Sequence, residues 1–342
     1  MSVKTKIKMS YIKFAEKRNH SFLGKILYIF FYCLSLIYAA LVKIRNFFYN
    51  RNIFSSYNSD LAFLIGVGNI SWAGTGKTPL CLWLYKQLNL KFKTAILRRG
   101  YGQDEGKLIK KECSSVFSSC DRVNLVKNLE KDYNLFIVDD SFQYRKLKKD
   151  LEIVIMGERE FSRKIDLIPA SFFREPLKNI KRADILIVNY HKKIKKEKIK
   201  SLVYKIAPKV KIYFANYLVD SLEDLEGKVY NLNILKNKKL AAFAAIGYPQ
   251  GFFDLLKKVG FNPEKKIRYP DHYNLSKKEY SILEQNLLNS EINSLVVTKK
   301  DKYHLPAGRK KIDIFVLGVK LEIEDKEKLI EDITKKINNK IS

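Results

Sequence analysis

The stretch Gly68-Asn69-Ile70-Ser71-Trp72-Ala73-Gly74-Thr75-Gly76-Lys77-Thr78-Pro79 constrains this chain more than any other. An apolar run, Leu61 to Val67, precedes it and reads as a buried parallel strand; a segment of helical period, Thr78 to Asn89, follows. Strand, glycine-rich loop, Gly-Lys-Thr and helix, in that order, is the layout of a phosphate-binding loop. Small residues let backbone N–H groups curl around a polyphosphate, and the helix N-terminus adds partial positive charge. Ser71, Trp72, Ala73, Gly74, Thr75, Gly76, Lys77 and Thr78 then form the nucleotide cradle. Lys77 reaches the β and γ phosphates and the Thr78 hydroxyl sits on Mg²⁺. Ser71 stands where the strict pattern has glycine. A nucleoside triphosphate is the expected ligand.

Strands and helices alternate from residue 60. Apolar strand candidates are Leu61–Val67, Thr94–Leu97, Leu135–Val138, Leu151–Met156 and Ile185–Val188, with helical segments such as Asp121–Lys131 between them. This pattern predicts an α/β fold, a P-loop NTPase-like doubly wound sheet. A further strand, Lys209–Leu218, is followed by the polar, irregular stretch Ser221–Asn237, which reads as a boundary. The expected division is a basic segment and apolar helix over 1–50, a phosphate-loop domain over 51–220, and a second, smaller α/β domain over 221–342. That second set comprises strand Leu240–Ile246, helix Gln250–Val259, strand Ile267–Tyr269, helix Lys277–Leu288, strands Ser294–Val297 and Ile312–Leu317, and helix Asp325–Ile341. Ser276-x-x-Glu279 reads as a capping box, with Leu275 and Tyr280 placed for a hydrophobic staple.

Leu135-Phe136-Ile137-Val138-Asp139-Asp140 is a buried strand ending in two carboxylates. Beside a phosphate loop, Asp139 and Asp140 are candidate holders of Mg²⁺, directly or through water; capping of the next turn is the plainer alternative. Arg98-Arg99-Gly100-Tyr101-Gly102 ends the strand after the phosphate-loop helix, at the sheet edge where ligands bind, so its arginines are candidate phosphate clamps. Arg174-Glu175-Pro176 and Asp271-His272-Tyr273 are polar, turn-like clusters, and His272 beside Asp271 in a loop is a candidate proton carrier.

Lys+Arg 65 against Asp+Glu 36 gives a net charge of +29, which points to an anionic partner or to lysine-rich solvated faces. Cys33, Cys81, Cys113 and Cys120 show no C-x-x-C spacing, which disfavours a zinc site or a disulfide frame. Ile26 to Val42 runs for 17 residues without a charge, flanked by Lys25, Lys43 and Arg45. Three readings are open: an uncleaved span at the lower length limit, an in-plane anchor with basic flanks, or a core helix. The cations on both flanks favour an anchor on an anionic membrane face. Removing residues 1–47 is then expected to release the protein from membranes with nucleotide binding intact.

Seven motifs, VGNISWAGTGKTP, RRGYG, DDSFQY, IPASFFREP, IGYPQGFF, YPDHY and TKKD, stand in the order found in the tetraacyldisaccharide 4′-kinase family, which the chain resembles over nearly its whole length. The resemblance implies a two-domain P-loop kinase on the cytoplasmic face of the bacterial inner membrane. Its substrates would be ATP, bound with Mg²⁺ in the first domain, and a lipid disaccharide 1-phosphate precursor of lipid A. Its second domain would contribute His272. The family carries an Asp after RGYG as base, for which Asp104 in Asp104-Glu105-Gly106 is the nearest match. Ser141 and Tyr144 replace the family's Gly and His in DDGFQH, Tyr273 replaces a second His, and Lys299 replaces a common Glu. Two rival readings are a basic P-loop ATPase acting on nucleic acid, for which no nucleic-acid module is present, and a non-catalytic nucleotide-binding membrane scaffold. Nucleic acid is not an expected partner.

Overall fold

The computed structural model describes residues 10, 11, 14, 22–72, 74–100, 109, 110, 112–161, 166–191, 194–308 and 310–341. The chain divides into two compact units. The first takes in α1 and residues up to 216, and again 321–341; the second takes in 217–320.

The first unit opens with α1 (Phe22–Asn50) and β1 (Phe63–Gly68), followed by α2 (Lys77–Leu88), β2 (Thr94–Arg98), β3 (Val116–Ser118), α3 (Arg122–Leu129) and β4 (Leu135–Asp139). Next come β5 (Leu151–Gly157), β6 (Ile185–Asn189), α4 (Lys196–Ile206) and β7 (Lys211–Glu223). Its strands lie in the order β3-β2-β4-β1-β5-β6-β7. Neighbouring strands in this order pair in parallel, with Val67 of β1 opposite Asp139 of β4. The apolar runs of β1, β2, β4 and β6 are continuous because helices cover both faces, so neither side of a strand meets water. Strand order reverses around β1 and β4. Ligands of a doubly wound sheet bind at the carboxyl ends of the strands at such a switch point.

The second unit contains β8 (Leu240–Ala244), α5 (Pro249–Lys258), β9 (Lys265–Arg268), α6 (Lys277–Leu288) and β10 (Ser294–Thr298), joined by most of β11 (Asp313–Ile323). The strands are parallel in the order β11-β10-β8-β9. Alternation along β8 sends Ala241 and Phe243 towards Leu275, Tyr280 and Leu287 on one face, and Ala242 and Ala244 towards Phe252, Phe253 and Leu256 of α5 on the other. Ser276 and Glu279 form the expected capping box on α6. Leu275 and Tyr280 are buried in one cluster.

One placement differs from the sequence reading. The final helix, α7 (Lys326–Ile341), belongs to the first unit, not the second. Leu329, Ile333 and Ile337 bury one face of it, and Lys340 Nζ donates to Ser59 O at 2.7 Å, Ala62 O at 3.0 Å and Asp150 Oδ1 at 2.8 Å. A periodic pattern states that a helix has a buried face, and nothing in it names the surface that covers it. α1 is not the core helix that was one of its three open readings. Only 11% of its most apolar window is buried. Phe22, Leu23, Ile26, Ile29, Phe30, Ile37 and Leu41 stand exposed, while Ser35 and Val42 face the protein.

Candidate active site

β1 delivers the chain to the phosphate loop, and close packing fixes where the loop begins. A Cβ on Gly68 would stand 2.5 Å from Cβ of Phe142, so only glycine lets the segment after β4 cross here. Asn69 Nδ2 donates to Thr75 Oγ1 at 3.0 Å, closing the loop on itself, and Gln143 Nε2 donates to Asn69 O at 2.9 Å. Gly76 caps α2 with φ 99°, a left-handed conformation, and no side chain caps the helix. The first N–H groups of α2 are therefore left for an anion, where the helix dipole adds to their pull. Ser71 is fully buried and its hydroxyl donates to Oε1 of Glu160. Glu160 is itself buried, and burial pushes its carboxyl up from the usual range. Trp72 and Gly74 are exposed, and Thr78 is half-buried at the start of α2. Ala73 lies outside the described residues.

Asp139 and Asp140 end β4 beside this loop. Lys77 Nζ is 3.4 Å from Asp140 Oδ1, and Arg174 Nη1 is 3.1 Å from the same oxygen. Burial works to raise the Asp140 pKa, but Lys77 and Arg174 outweigh it and hold the carboxyl below its ordinary range. Asp140 has φ 50°, a left-handed conformation that Asp tolerates better than most residues and that turns its carboxylate towards Lys77. Asp139 faces the other way, with Oδ2 3.7 Å from Nε of Arg98. Of the two arginines read as phosphate clamps, Arg98 is thus buried against Asp139, and only Arg99 is exposed. Asp104 lies outside the described residues.

Three residues of this site carry no sequence signal. Arg122, fully buried, donates from Nη1 to the carbonyl oxygens of Asp139 at 2.6 Å and Asp140 at 3.3 Å, and its guanidinium lies 4.0 Å from the Tyr144 ring centre. Burial lowers its pKa, while Tyr144 and the two aspartates favour its charged form. Tyr144, in place of the family's His, gives this buried cation an aromatic face. Lys149 donates to the carbonyl oxygens of Ser141 and Tyr144, both at 3.2 Å, and pairs with Glu152 at 3.0 Å, so it pins the loop after β4 from below. Glu160 is the third. A single charged residue in a polar string reads as solvent-facing, and only the fold shows these three turned inwards.

In the second unit, His272 sits in a turn with φ 62°, and its N–H donates to Ala245 O at 3.2 Å. Such a conformation costs about 1–3 kcal/mol in a residue with a side chain and persists where the surroundings dictate it. Lys300 Nζ donates to Asp271 Oδ1 at 2.9 Å and lies 3.4 Å from His272 Nε2. Asp301 is wholly buried, accepting from Ala245 N at 3.0 Å and from Thr298 Oγ1 at 2.7 Å. The TKKD motif therefore builds the turn that presents Lys300 to Asp271 and His272. Tyr273 donates to Glu279 Oε1 at 2.6 Å and stacks on Tyr269, so here it serves the capping box of α6.

The family model for tetraacyldisaccharide-1-P 4′-kinase matches residues 27–338. The chain belongs to the tetraacyldisaccharide 4′-kinase family. It is 28% identical to the enzyme of that name from Chlorobium phaeobacteroides, over 90% of this chain and 96% of that one. Identity to the one from Wigglesworthia glossinidia brevipalpis is 31%, over 90% and 85%. The fold resembles the crystal structure of LpxK from Aquifex aeolicus in complex with ATP, with a TM-score of 0.65 and 25% identity over 89% of this chain and 97% of that one. Within this family the donor set at the carboxyl ends of β1 and β4 suits Mg²⁺. Thr78, Asp139 and Asp140 offer hard oxygen ligands, and no group of three His, Cys, Asp or Glu is gathered among the described residues.

Proposed function

We propose that this chain transfers the γ-phosphoryl group of ATP to the 4′-hydroxyl of a tetraacyldisaccharide 1-phosphate. One observation carries the chemistry: the uncapped start of α2, Lys77, Asp140 and Arg174 converge at the switch point of the sheet. Phosphoryl transfer asks for positioning and charge stabilisation above all. A bond forms between the 4′ oxygen and phosphorus, the bond from phosphorus to the bridging oxygen of ADP breaks, and the hydroxyl proton must leave. Backbone N–H groups of α2 orient the phosphates. Lys77 and Arg174, drawn from Asp140 by arriving phosphate oxygens, spread the transition-state charge. Thr78 with Asp139 or Asp140 would hold Mg²⁺, which would supply neutralisation of the phosphate charge. For the proton, Asp104 and His272 are the candidate carriers, as the family resemblance implies.

The membrane reading follows from α1. Length and composition would let it cross a bilayer. Its hydrogen bonds to its own unit run from Tyr28, whose hydroxyl donates to Asp166 at 2.7 Å, to Asn50, which accepts from Arg145 at 2.8 Å. That length is about 33 Å at 1.5 Å per residue, as much as the hydrocarbon of a bilayer is thick. A helix docked along its length cannot also be sheathed in lipid. We therefore place α1 in the plane of the cytoplasmic face of the inner membrane, its apolar side sunk among the acyl chains and basic flanks on the headgroups.

The test is purified protein with Mg²⁺-ATP and a lipid disaccharide 1-phosphate, weighed by mass spectrometry. The expected product is heavier by one phosphate and absent with EDTA. Nucleotide binding with no phosphorylated lipid would favour the scaffold reading. Flotation with anionic vesicles should carry the protein upwards and weaken as salt rises.

A further inference from the structure

Glu175 is wholly buried, and its carboxylate is held from two directions. From its own turn, Asn179 Nδ2 donates at 2.7 Å and Arg182 Nη2 at 2.8 Å. From α1, Arg45 Nη2 donates at 3.0 Å and Asn46 Nδ2 approaches to 3.4 Å. A buried carboxylate met by two cations and two amides is a built junction, because an unpaired charge there would be costly.

The adjoining residue leads to the nucleotide site. Arg174 O accepts from the Tyr38 hydroxyl of α1 at 3.0 Å, Arg174 N donates to Ile70 O at 2.8 Å, and Arg174 Nη1 reaches Asp140. Two residues earlier, Phe172 O accepts from Trp72 N at 2.7 Å, and Phe173 bridges Ser71. The segment 172–174 is thus bridged to the entry of the phosphate loop and clamped behind by α1. The loop that carries Asp140 is tied to the same helix, since Arg145 donates to Asn46 O at 3.1 Å and to Asn50 Oδ1 at 2.8 Å. Tyr38, Arg45 and Asn46 follow one another at helical spacing, i, i+7 and i+8, on the protein side of a helix whose other side is apolar and exposed.

We propose that α1 is a working part of the nucleotide site, in which Tyr38, Arg45 and Asn46, through Glu175, are positioning residues that hold Arg174 on Asp140 and the segment 172–174 on the phosphate loop. The two sides of one helix then do separate work: the outward side meets lipid and the inward side sets the geometry around ATP. This rests on the kinase reading above.

The experiment uses the full-length protein in detergent micelles containing the lipid disaccharide 1-phosphate, with Mg²⁺-ATP varied and binding of a fluorescent ATP analogue measured in parallel. Arg45→Met keeps the stem and removes the charge. It should cut kcat/KM for ATP by up to about 10²-fold, the range in which small misplacements around a reacting centre act. Arg45→Lys should recover part of the loss, and KM for the lipid should move little. Ile37→Ser, on the outward side, should raise the lipid KM and reduce flotation, with ATP affinity as in wild type. Should Arg45→Met fail to fold, Tyr38→Phe, which removes one hydroxyl, decides by a several-fold loss in kcat/KM for ATP at unchanged Tm. Wild-type ATP kinetics in Arg45→Met or, where that variant does not fold, in Tyr38→Phe would overturn the proposal, as would Arg45→Met and Ile37→Ser altering the same parameter. An inactive wild type would instead point at the kinase reading itself.

Discussion

Lys77 opens α2 beside Asp140, where its charge is available to a phosphate held by the loop. Lys77→Ala should leave Tm near wild type and lower kcat by about 10²–10³-fold, the scale seen when one preorganised charge-stabilising donor is removed. Stopped-flow or steady-state turnover measures this, and wild-type turnover would sink the assignment of the loop. Arg122 works behind the site. Arg122→Met strips hydrogen bonds from two buried carbonyl oxygens and a cation from the Tyr144 ring, so it should cost about 2–3 kcal/mol in denaturant unfolding. Glu279 belongs to stability alone. The Tyr273 hydroxyl, together with Ser276, depresses its pKa to about 2 from 4.5. A carboxyl lowered in the folded state contributes stability that is complete above about 4.5 and is lost as pH falls towards about 2. Glu279→Gln should therefore lower stability at neutral pH and flatten its dependence between those values, read by denaturant titrations at a series of pH values.

Among the elements, the loop after β4 is the most constrained. Gly68 leaves room for Phe142, Lys149 pins the carbonyls of Ser141 and Tyr144, and Arg145 ties the loop's end to α1. Gly68→Ala must push Phe142 aside, at about 1–3 kcal/mol for an overpacked site. It should also lower turnover, because Asp140 rides on the same loop. A fall in Tm with kcat unchanged would mean that the loop's position and the chemistry are independent. For α1 the structure alters an expectation. Deletion of residues 1–47 removes Tyr38, Arg45 and Asn46 from the Glu175 junction, so the truncated protein should lose ATP affinity as well as membrane binding.

Across the molecule, the proton of the acceptor hydroxyl needs a carrier. A positioned base contributes about 10²–10⁴-fold in such transfers. Asp104→Ala and His272→Ala should each lower turnover on that scale, and the double variant should be little worse than either if the two act as one unit. Wild-type turnover in Asp104→Ala would remove it as the base and turn attention to Asp139 and Asp140. The amino-acid sequence alone determined the α/β class, the phosphate loop and its neighbouring acidic strand, because strand period, glycine placement and Lys-Thr spacing are local properties. It also placed the capping box of α6, a contact three residues long. Only the tertiary structure decided that Asp140, not Asp139, meets Lys77, since the two differ by one left-handed backbone step that no composition encodes. It alone turned Arg98, Arg122 and Glu160 inwards, where partners distant in sequence compensate their burial. It returned α7 to the first unit, and it gave α1 one polar side for Glu175 and one apolar side left open. A helix announces its faces in sequence, but what covers each face is settled by packing between segments far apart in the chain.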